Sequence, residues 1–393
     1  MCQSQLTKTY DQNRLSMTHV IRRCAIQFIA CVLCDLTVVA VAQTPLTGHD
    51  AFDDTQIQRI MTHGPWPQPW RPDRSNRVSG QTAAIDFGRQ LFFDARLSPS
   101  GQVSCSSCHR PERAWSDGRP HGIGLKPGWR NTPSLYNVRL NRWFGWSGAS
   151  DSLWAQGLRP LLDTGEMGSS AQHMKSYLGS HQELAGAYAA VFGRPVAATD
   201  AEIVLVDVAK ALAAFQETIV SSRTVFDDFR DALAMGDRTA AAAYPRAAQR
   251  GLALFIGEGG CSECHSGPAF TNDAFHDVGR TVDGSASPVD AGRRDGVARL
   301  LASPYNLAGR FNDDPARVVT WSVDSLKQMS GIERGFRVPS LRNLTRTAPY
   351  MHDGSLATLP EAVRSHANAS RALADNEIAD LVGFLVTLSQ TGR

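Results

Sequence analysis

The sequence predicts an all-α protein made of two similar domains in tandem, and three observations support this fold class. Apolar residues recur at helical spacing in the stretches 85–93, 247–255 and 377–388. Repeated alternation of apolar and polar residues, the pattern of half-buried strands, is absent. A segment of the first half of the chain also returns in the second half. Together these patterns favour helices packed as two copies of one unit.

The internal repeat is clearest where Pro-Ser-Leu-Tyr-Asn at 133–137 aligns with Pro-Ser-Leu-Arg-Asn at 339–343. The alignment continues without a gap, so that Leu153 meets Leu359. Between the copies lies an Ala-rich stretch, 200–243, with helical character. We therefore expect two small helical domains separated by this stretch.

The repeat also sets the predicted domain limits. Residues 1–42 form a signal segment, 43–243 the N-terminal domain and 244–393 the C-terminal domain. Within the C-terminal domain, residues 278–336 are rich in Gly, Asp and Arg and lack a clear period. This composition predicts a long loop insertion.

Each half of the chain contains Cys-x-x-Cys-His, the attachment signature of c-type haem. The two thiols add to the haem vinyl groups, and the imidazole becomes an axial ligand of the iron. The motif residues are Cys105, Cys108, His109, Cys261, Cys264 and His265. Two cysteine pairs could instead form a Cys₄ zinc site. The histidine after each pair favours two covalently bound haems c, and hence two cytochrome c-like domains.

The N-terminal stretch 17–42 has the pattern of an export signal, with Met17 as the true start. Two arginines precede a mostly apolar run, and the small residues at 40–42 offer a cleavage site. Asp35 interrupts the apolar run, which argues against a permanent membrane span. An uncleaved anchor stays the alternative. Without this segment every cysteine lies in a haem motif, so the sequence predicts a periplasmic protein.

The repeat predicts different chemistry at the two haems, because its register places Pro160 opposite His366. If equivalent stretches cover the distal side of each haem, the first haem faces a proline, which cannot ligate iron. The second haem faces a histidine, which can. The first iron would then be open to a small substrate, and the second would be six-coordinate and suited to electron transfer.

Three further segments stand in a characteristic order: Phe-Phe-Asp-Ala-Arg-Leu-Ser at 92–98, Arg-Asn-Thr-Pro-Ser at 130–134 and Thr-Ala-Pro-Tyr-Met-His-Asp-Gly at 347–354. With the two haem motifs, they resemble the bacterial di-haem cytochrome c peroxidases, a family that includes the MauG-like protein-oxidising enzymes. The resemblance covers residues 82–390. It implies a first, peroxidatic haem domain and a second, electron-transfer haem domain.

The resemblance implies catalytic roles at matching positions. Trp146 matches a tryptophan that lies between the two haems of the family. Gln156 and Glu166 match a distal glutamine and a distal glutamate. In these roles Gln156 orients the peroxide, and Glu166 takes and returns the proton. Arg337 matches an arginine at a haem edge, near the propionates.

The resemblance further implies one calcium ion between the haems. The matching positions are Asn131, Thr347 and Pro349. Calcium prefers oxygen ligands, which backbone carbonyls and an asparagine can supply.

Two positions depart from the family pattern. His366, fourteen residues after His352, stands where the peroxide-reducing members have methionine and the protein-oxidising branch has tyrosine. A bis-histidine second haem is implied, and nitrogen ligation usually gives a lower potential than thioether ligation. The usual distal-loop histidine position holds Ile123, with His121 close enough to substitute after a loop shift.

Three functional interpretations follow. The first is a peroxidase that reduces hydrogen peroxide with electrons from a small cytochrome c or cupredoxin. The second is an enzyme that uses peroxide to oxidise residues of a partner protein, and the third is a non-enzymatic electron-transfer cytochrome. Gln156 and Glu166 argue against the third. The net charge of +2 is uninformative about partners. Nothing in the sequence suggests nucleic acid, since a Gly-rich phosphate loop is absent, and a homodimer stays open.

Overall fold

The computed structural model describes residues 52–277, 290–317, 321–328, 335–367 and 372–390. These residues contain fifteen α-helices and one two-stranded sheet, which confirms the predicted all-α class. The predicted signal segment lies outside the described residues. No helix in the described ranges is both long and apolar enough to cross a membrane.

The helices divide around the two haem motifs. Those in the first half are α1 Asp54–Met61, α2 Thr82–Phe92, α3 Cys105–Cys108, α4 Leu153–Leu162, α5 Ala171–Ser180, α6 Gln182–Phe192, α7 Ala201–Gln216, α8 Val225–Met235 and α9 Arg238–Ala242. Those in the second half are α10 Arg246–Ile256, α11 Cys261–Cys264, α12 Arg293–Ala302, α13 Trp321–Gln328, α14 Leu359–Ala367 and α15 Asp375–Val386. The strands β1 Phe275–His276 and β2 Phe336–Arg337 pair antiparallel.

Each haem motif follows a helix that crosses a later helix at a glycine. In the first half α2 packs on α7, and a Cβ at Gly88 would overlap the carbonyl oxygen of Ala211. In the second half α10 packs on α15, and a Cβ at Gly251 would overlap the carbonyl oxygen of Asp380. Only glycine permits so close a backbone approach. The same crossing therefore occurs once in each half.

The turns after the motifs repeat as well, at the positions that the sequence alignment pairs. Asn137 and Asn343 both adopt left-handed backbone conformations, with φ of 61° and 63°. The Ser134 and Ser340 hydroxyls each donate to a backbone carbonyl at 2.6 Å. Asparagine tolerates this conformation better than most residues. The predicted duplication is thus present in the structure.

Two separate hydrophobic cores underlie the two halves. The first contains Phe87, Leu91, Phe92, Trp154, Leu158, Leu212 and Phe215. The second contains Phe226, Phe229, Leu252, Phe255, Phe270, Leu381 and Phe384.

The Ala-rich stretch 200–243 is not simply a separator between the two domains, since α7 belongs to the first core and α8 to the second. Phe52 and Ile60 of the N-terminal region also pack in the second core. The domain limits at 43–243 and 244–393 stay a prediction.

The predicted loop insertion, 278–336, is only partly irregular. Its described residues include α12 and α13, and Leu307 packs in the first hydrophobic core. The buried Lys210 ammonium donates to Asp313 at 2.6 Å, which fastens this segment to α7. A buried charge needs such a partner to offset the loss of hydration. The expectation of a plain loop was wrong because these stabilising contacts are with distant residues.

Candidate functional site

The first cysteine pair lies on α3, a single helical turn that brings both thiols to one side. The following residue, His109, is held by a hydrogen bond of 3.0 Å between its Nδ1 atom and the carbonyl oxygen of Trp115. When Nδ1 carries the proton, the lone pair of Nε2 is available for a metal. Burial lowers the pKa of His109, which favours the neutral, ligating form.

The second motif repeats this arrangement on α11. The Nδ1 atom of His265 lies 3.1 Å from the carbonyl oxygen of Phe270. Burial lowers the pKa of His265 to about 4, and the nearby charge of His366 lowers it further. Both motif histidines are therefore oriented by a backbone carbonyl, as is usual for metal-ligating histidines.

The donor sets fit haem c better than zinc. Cys105 packs against the first core and Cys261 against the second, so the two pairs belong to different cores. Within the described ranges, no three His, Cys, Asp or Glu side chains form a metal-binding group. Each site instead offers two thiols on one helical turn and one oriented imidazole, which is the set that a c-type haem requires.

Helix α4 carries Gln156 and Pro160, which lie one turn apart on one face. The Oε1 atom of Gln156 is buried without a hydrogen-bond partner, which fits a group positioned for a ligand. After α4 the chain folds back, and the Met167 amide donates to the carbonyl of Pro160 at 3.1 Å. This return brings Glu166 to the end of the helix.

Glu166 lies close to the first haem-attachment cysteines. Burial raises the pKa of the Cys105 and Cys108 thiols, and the negative charge of Glu166 raises both further. Although Glu166 as a residue is well exposed, protein atoms crowd its carboxyl closely enough for lost hydration to raise its pKa. The neighbouring charge of Asp163 also raises this pKa, and Arg159 lowers it.

The loop 121–128 packs directly against the Glu166 segment. The Leu125 amide donates to the Glu166 carbonyl at 2.9 Å, and a Cβ at Gly124 would overlap the Glu166 backbone. The Ile123 carbonyl accepts from the Cys108 thiol at 3.6 Å, whereas the side chains of His121 and Ile123 are exposed. These contacts place the backbone at Ile123, rather than His121, beside the first motif.

Trp146 links segments from the two halves. Its indole Nε1 donates to the carbonyl of Asn131 at 2.8 Å, and its own carbonyl accepts from the Arg337 amide at 2.8 Å. The Asn131 amide in turn donates to the His352 carbonyl at 2.8 Å. The side chain is half-buried, and the Gly145 turn beside it lies over Gln156. That Trp146 lies between two haems stays a prediction.

Arg337, on β2, is buried, and one side of its guanidinium is paired. Its Nη1 atom donates to Asp273 at 3.0 Å, whereas Nε is buried without a partner. Burial lowers the pKa of Arg337 and Asp273 raises it. An unpaired buried donor is costly, so this guanidinium fits the predicted contact with a negatively charged haem edge.

The three predicted calcium positions come from segments that meet. Asn131 contacts the 347–352 segment through its bond to the His352 carbonyl. The Asn131 side-chain amide donates to the Arg119 carbonyl at 2.9 Å, and the Thr347 hydroxyl donates to the Leu344 carbonyl at 3.2 Å. Pro349 follows Thr347 by two residues. The group contains no carboxylate, so calcium would depend on amide and backbone oxygens.

His366 lies at the end of α14, near the second motif. Its Nδ1 atom lies 2.8 Å from the carbonyl oxygen of Ala362, which again leaves Nε2 for a metal. The side chain is exposed, and its charge is the second-largest cause of the lowered pKa of His265. The structure thus brings His366 and His265 near each other, as the ligand hypothesis requires.

If His366 is the sixth ligand of the second haem, as the sequence predicts, His366→Ala should convert that haem from low-spin to high-spin. EPR and optical spectra of the holoprotein measure the change. His276→Ala is the matched control, since this exposed histidine also lowers the pKa of His265. A low-spin signal unchanged in His366→Ala, or lost in His276→Ala, would contradict the assignment.

Two features of the site were missed by the sequence analysis. The backbone carbonyls of Trp115 and Phe270 hold the two motif histidines. The positive charge of Arg159 lowers the pKa of Glu166. An aromatic residue follows the motif histidine by six residues in one copy and by five in the other. Comparison of the copies could have found the aromatic pair, but no sequence pattern indicated Arg159.

Several known proteins are similar to this chain. Residues 82–234 match the family model described as di-haem cytochrome c peroxidase. The methylamine utilization protein MauG of Methylorubrum extorquens is 35% identical over 332 residues, which cover 80% of each chain. The cytochrome c551 peroxidase of Pseudomonas aeruginosa is 30% identical over 353 residues, which cover 88% of each chain.

A solved structure gives the same result. The crystal structure of a MauG-like protein associated with microbial copper homeostasis superposes with a TM-score of 0.61 at 29% identity. The match covers 83% of this chain and 95% of that one. The predicted resemblance is confirmed: the chain belongs to the di-haem cytochrome c peroxidase family.

Proposed function

We propose that the protein reduces hydrogen peroxide to water at its first haem site, with electrons from a small cytochrome c or cupredoxin. The single observation that carries this proposal is the position of Glu166, a carboxyl with a raised pKa beside Cys105 and Cys108. Membership of the family implies two c-type haems. When bound, haem supplies an iron that can bind peroxide and exchange electrons.

The residues of the first site divide the remaining work. Glu166 takes a proton from the incoming peroxide and returns it to the leaving oxygen, which requires a carboxyl that titrates near the working pH. Gln156 orients the peroxide through its amide. Pro160 has no side-chain atom that could ligate a metal, so it would leave the first site open to peroxide. Trp146 connects the two halves and provides the path between the two sites.

A second candidate function is the oxidation of residues on a partner protein. Its support is His366, because a bis-histidine second haem has a lower potential than one with methionine. Such a site suits the storage of oxidising equivalents better than electron entry from a high-potential donor. The similarity to a methylamine utilization protein favours the same candidate.

Three further features belong to the proposal. One calcium ion binds between the haems through Asn131, Thr347 and Pro349, and it fixes the contact between the Asn131 segment and the segment 347–352.

The protein works in the periplasm, to which the segment 17–42 directs it. A homodimer is the oligomeric state to test first.

We expect peroxide-dependent oxidation of a reduced small cytochrome c or cupredoxin by the holoprotein. Pyridine haemochrome should first give two haems per chain. Stopped-flow absorbance then measures donor oxidation, and mass spectrometry of added periplasmic proteins measures residue oxidation. Donor turnover without protein oxidation supports the first function, and the reverse supports the second. Absence of both would contradict an enzymatic role.

A further inference from the structure

The ring of Trp115 lies in an aromatic cluster directly behind the first motif histidine. Its backbone carbonyl holds the Nδ1 atom of His109 at 3.0 Å. Its indole packs edge-on against Phe92 at 5.8 Å and Phe215 at 6.1 Å between ring centroids. The side chain is partly buried against the first core. No step of the proposed function uses it.

The second half contains a related cluster, in which the ring of Phe270 also stacks on His63 at 4.6 Å and contacts Phe226 at 5.2 Å. Phe270 holds His265 through its carbonyl, and its ring packs on Phe255 at 6.0 Å and Phe384 at 6.2 Å. Trp115 and Phe270 also share an unusual left-handed backbone, with φ of 60° and 54°. The two residues therefore occupy equivalent positions, one behind each haem-binding histidine.

The difference that bears on oxidation is the identity of the ring at the equivalent position, an indole in one half and a phenyl in the other. Phe270 shows that phenylalanine satisfies the packing and the backbone at this position. An indole gives up an electron far more readily than a phenyl ring. The oxidisable ring stands only behind the first site, where peroxide is proposed to react.

We propose that Trp115 is a sacrificial electron donor to the first haem site, and this inference rests on the proposed function. When no reducing partner is present, oxidising equivalents from peroxide would leave the site through Trp115, whose backbone carbonyl contacts His109. Phe92 and Phe215, whose rings contact the indole edge-on, resist oxidation, so Trp115 is the oxidisable ring among the three.

The chemistry balances with peroxide as the oxidant. One hydrogen peroxide takes up two electrons and two protons and becomes two waters. Both electrons come from the Trp115 indole, in two single steps, and one water adds its oxygen to the ring as two protons leave. The sum converts tryptophan and hydrogen peroxide into hydroxytryptophan and water. The modified residue is heavier by one oxygen atom.

The test treats the holoprotein with stoichiometric additions of hydrogen peroxide in the absence of any electron donor. Freeze-quench EPR looks for a tryptophan radical, the Soret band follows decay of the oxidised protein, and peptide mapping locates the added oxygen. The variant is Trp115→Phe, which copies the second half. Trp143→Phe is the matched control, because Trp143 is buried in a separate cluster with Val297 and Leu300.

We expect the oxygen on the Trp115 peptide in the unaltered protein and in Trp143→Phe, with Trp154 unmodified. Trp115→Phe should lack the radical signal, and its oxidised state should decay several-fold more slowly. A Soret change with an unmodified Trp115 and an unchanged decay in Trp115→Phe would overturn this inference alone. A Soret band that ignores peroxide, even after pre-reduction, would overturn the proposed function as well. The peptide map of the unaltered protein decides the matter even if Trp115→Phe does not fold.

Discussion

Replacing Glu166 with glutamine is expected to slow hydrogen peroxide consumption by about 10²–10⁴-fold, the usual contribution of general acid–base catalysis. Glutamine preserves the size of the side chain but can neither take nor return the proton. Initial rates of peroxide loss, measured with a saturating electron donor, check this expectation. Both haems should remain attached and spectroscopically unchanged. Full activity in Glu166→Gln would remove this carboxyl from the mechanism.

The pH dependence gives a second, independent measure of the role of Glu166. The first proton transfer needs the ionised carboxylate, and burial with the charge of Asp163 raises its pKa. The rate should therefore fall as the pH drops through a pKa above the ordinary range of a glutamate. This acidic limb should be absent from the residual activity of Glu166→Gln.

Asp163→Asn is the matched variant for the pH profile. The Asp163 carboxylate accepts the Gly165 amide at 2.7 Å, and an asparagine oxygen can keep that bond while the charge is removed. Because the charge of Asp163 raises the pKa of Glu166, its loss should move the acidic limb to lower pH. A limb that stays in place would assign the titration to another group.

The repeated parts of the fold could be predicted from the sequence because the two copies support each other. The Cys-x-x-Cys-His motif occurs in both halves, and the segment 133–137 aligns with 339–343. The structure repeats the same turns at Asn137 and Asn343. A feature present twice, at matching positions, is unlikely to arise from local composition. This repetition supported the interpretation of both haem motifs and of the duplicated architecture.

The unrepeated parts could not be predicted, because their contacts join residues distant in the sequence. The hydrogen bond from Lys210 to Asp313 fixes part of the insertion on α7. No local periodicity in the sequence predicts this contact. The electrostatic effect of Arg159 on the pKa of Glu166 depends on how the chain turns after α4. The contacts of Trp146 with Asn131 and Arg337 likewise require the assembled structure.

The fully oxidised protein is expected to react with hydrogen peroxide without prior reduction. The family resemblance implies that its peroxide-reducing members rest with a distal-loop histidine on the first haem. Those members need one electron before they react. Here that loop position is Ile123, whose carbonyl contacts the Cys108 thiol. The loop is also held on the Glu166 segment by the Leu125 and Lys126 amides, at 2.9 and 2.8 Å. These contacts favour a first site that is open to peroxide in the oxidised protein, which is the basis of this prediction.

Stopped-flow mixing of the all-ferric holoprotein with peroxide, with and without one-electron pre-reduction, measures this expectation. The Soret band should change at once in both samples, and EPR of the resting protein should show a high-spin first haem. If Trp146 connects the two haem sites as proposed, Trp146→Phe should disturb the second haem's response more than the first's. A fully low-spin first haem that ignores peroxide until reduced would contradict the expectation. His121, two residues before Ile123, would then be the blocking ligand, and His121→Gly should restore reaction without pre-reduction.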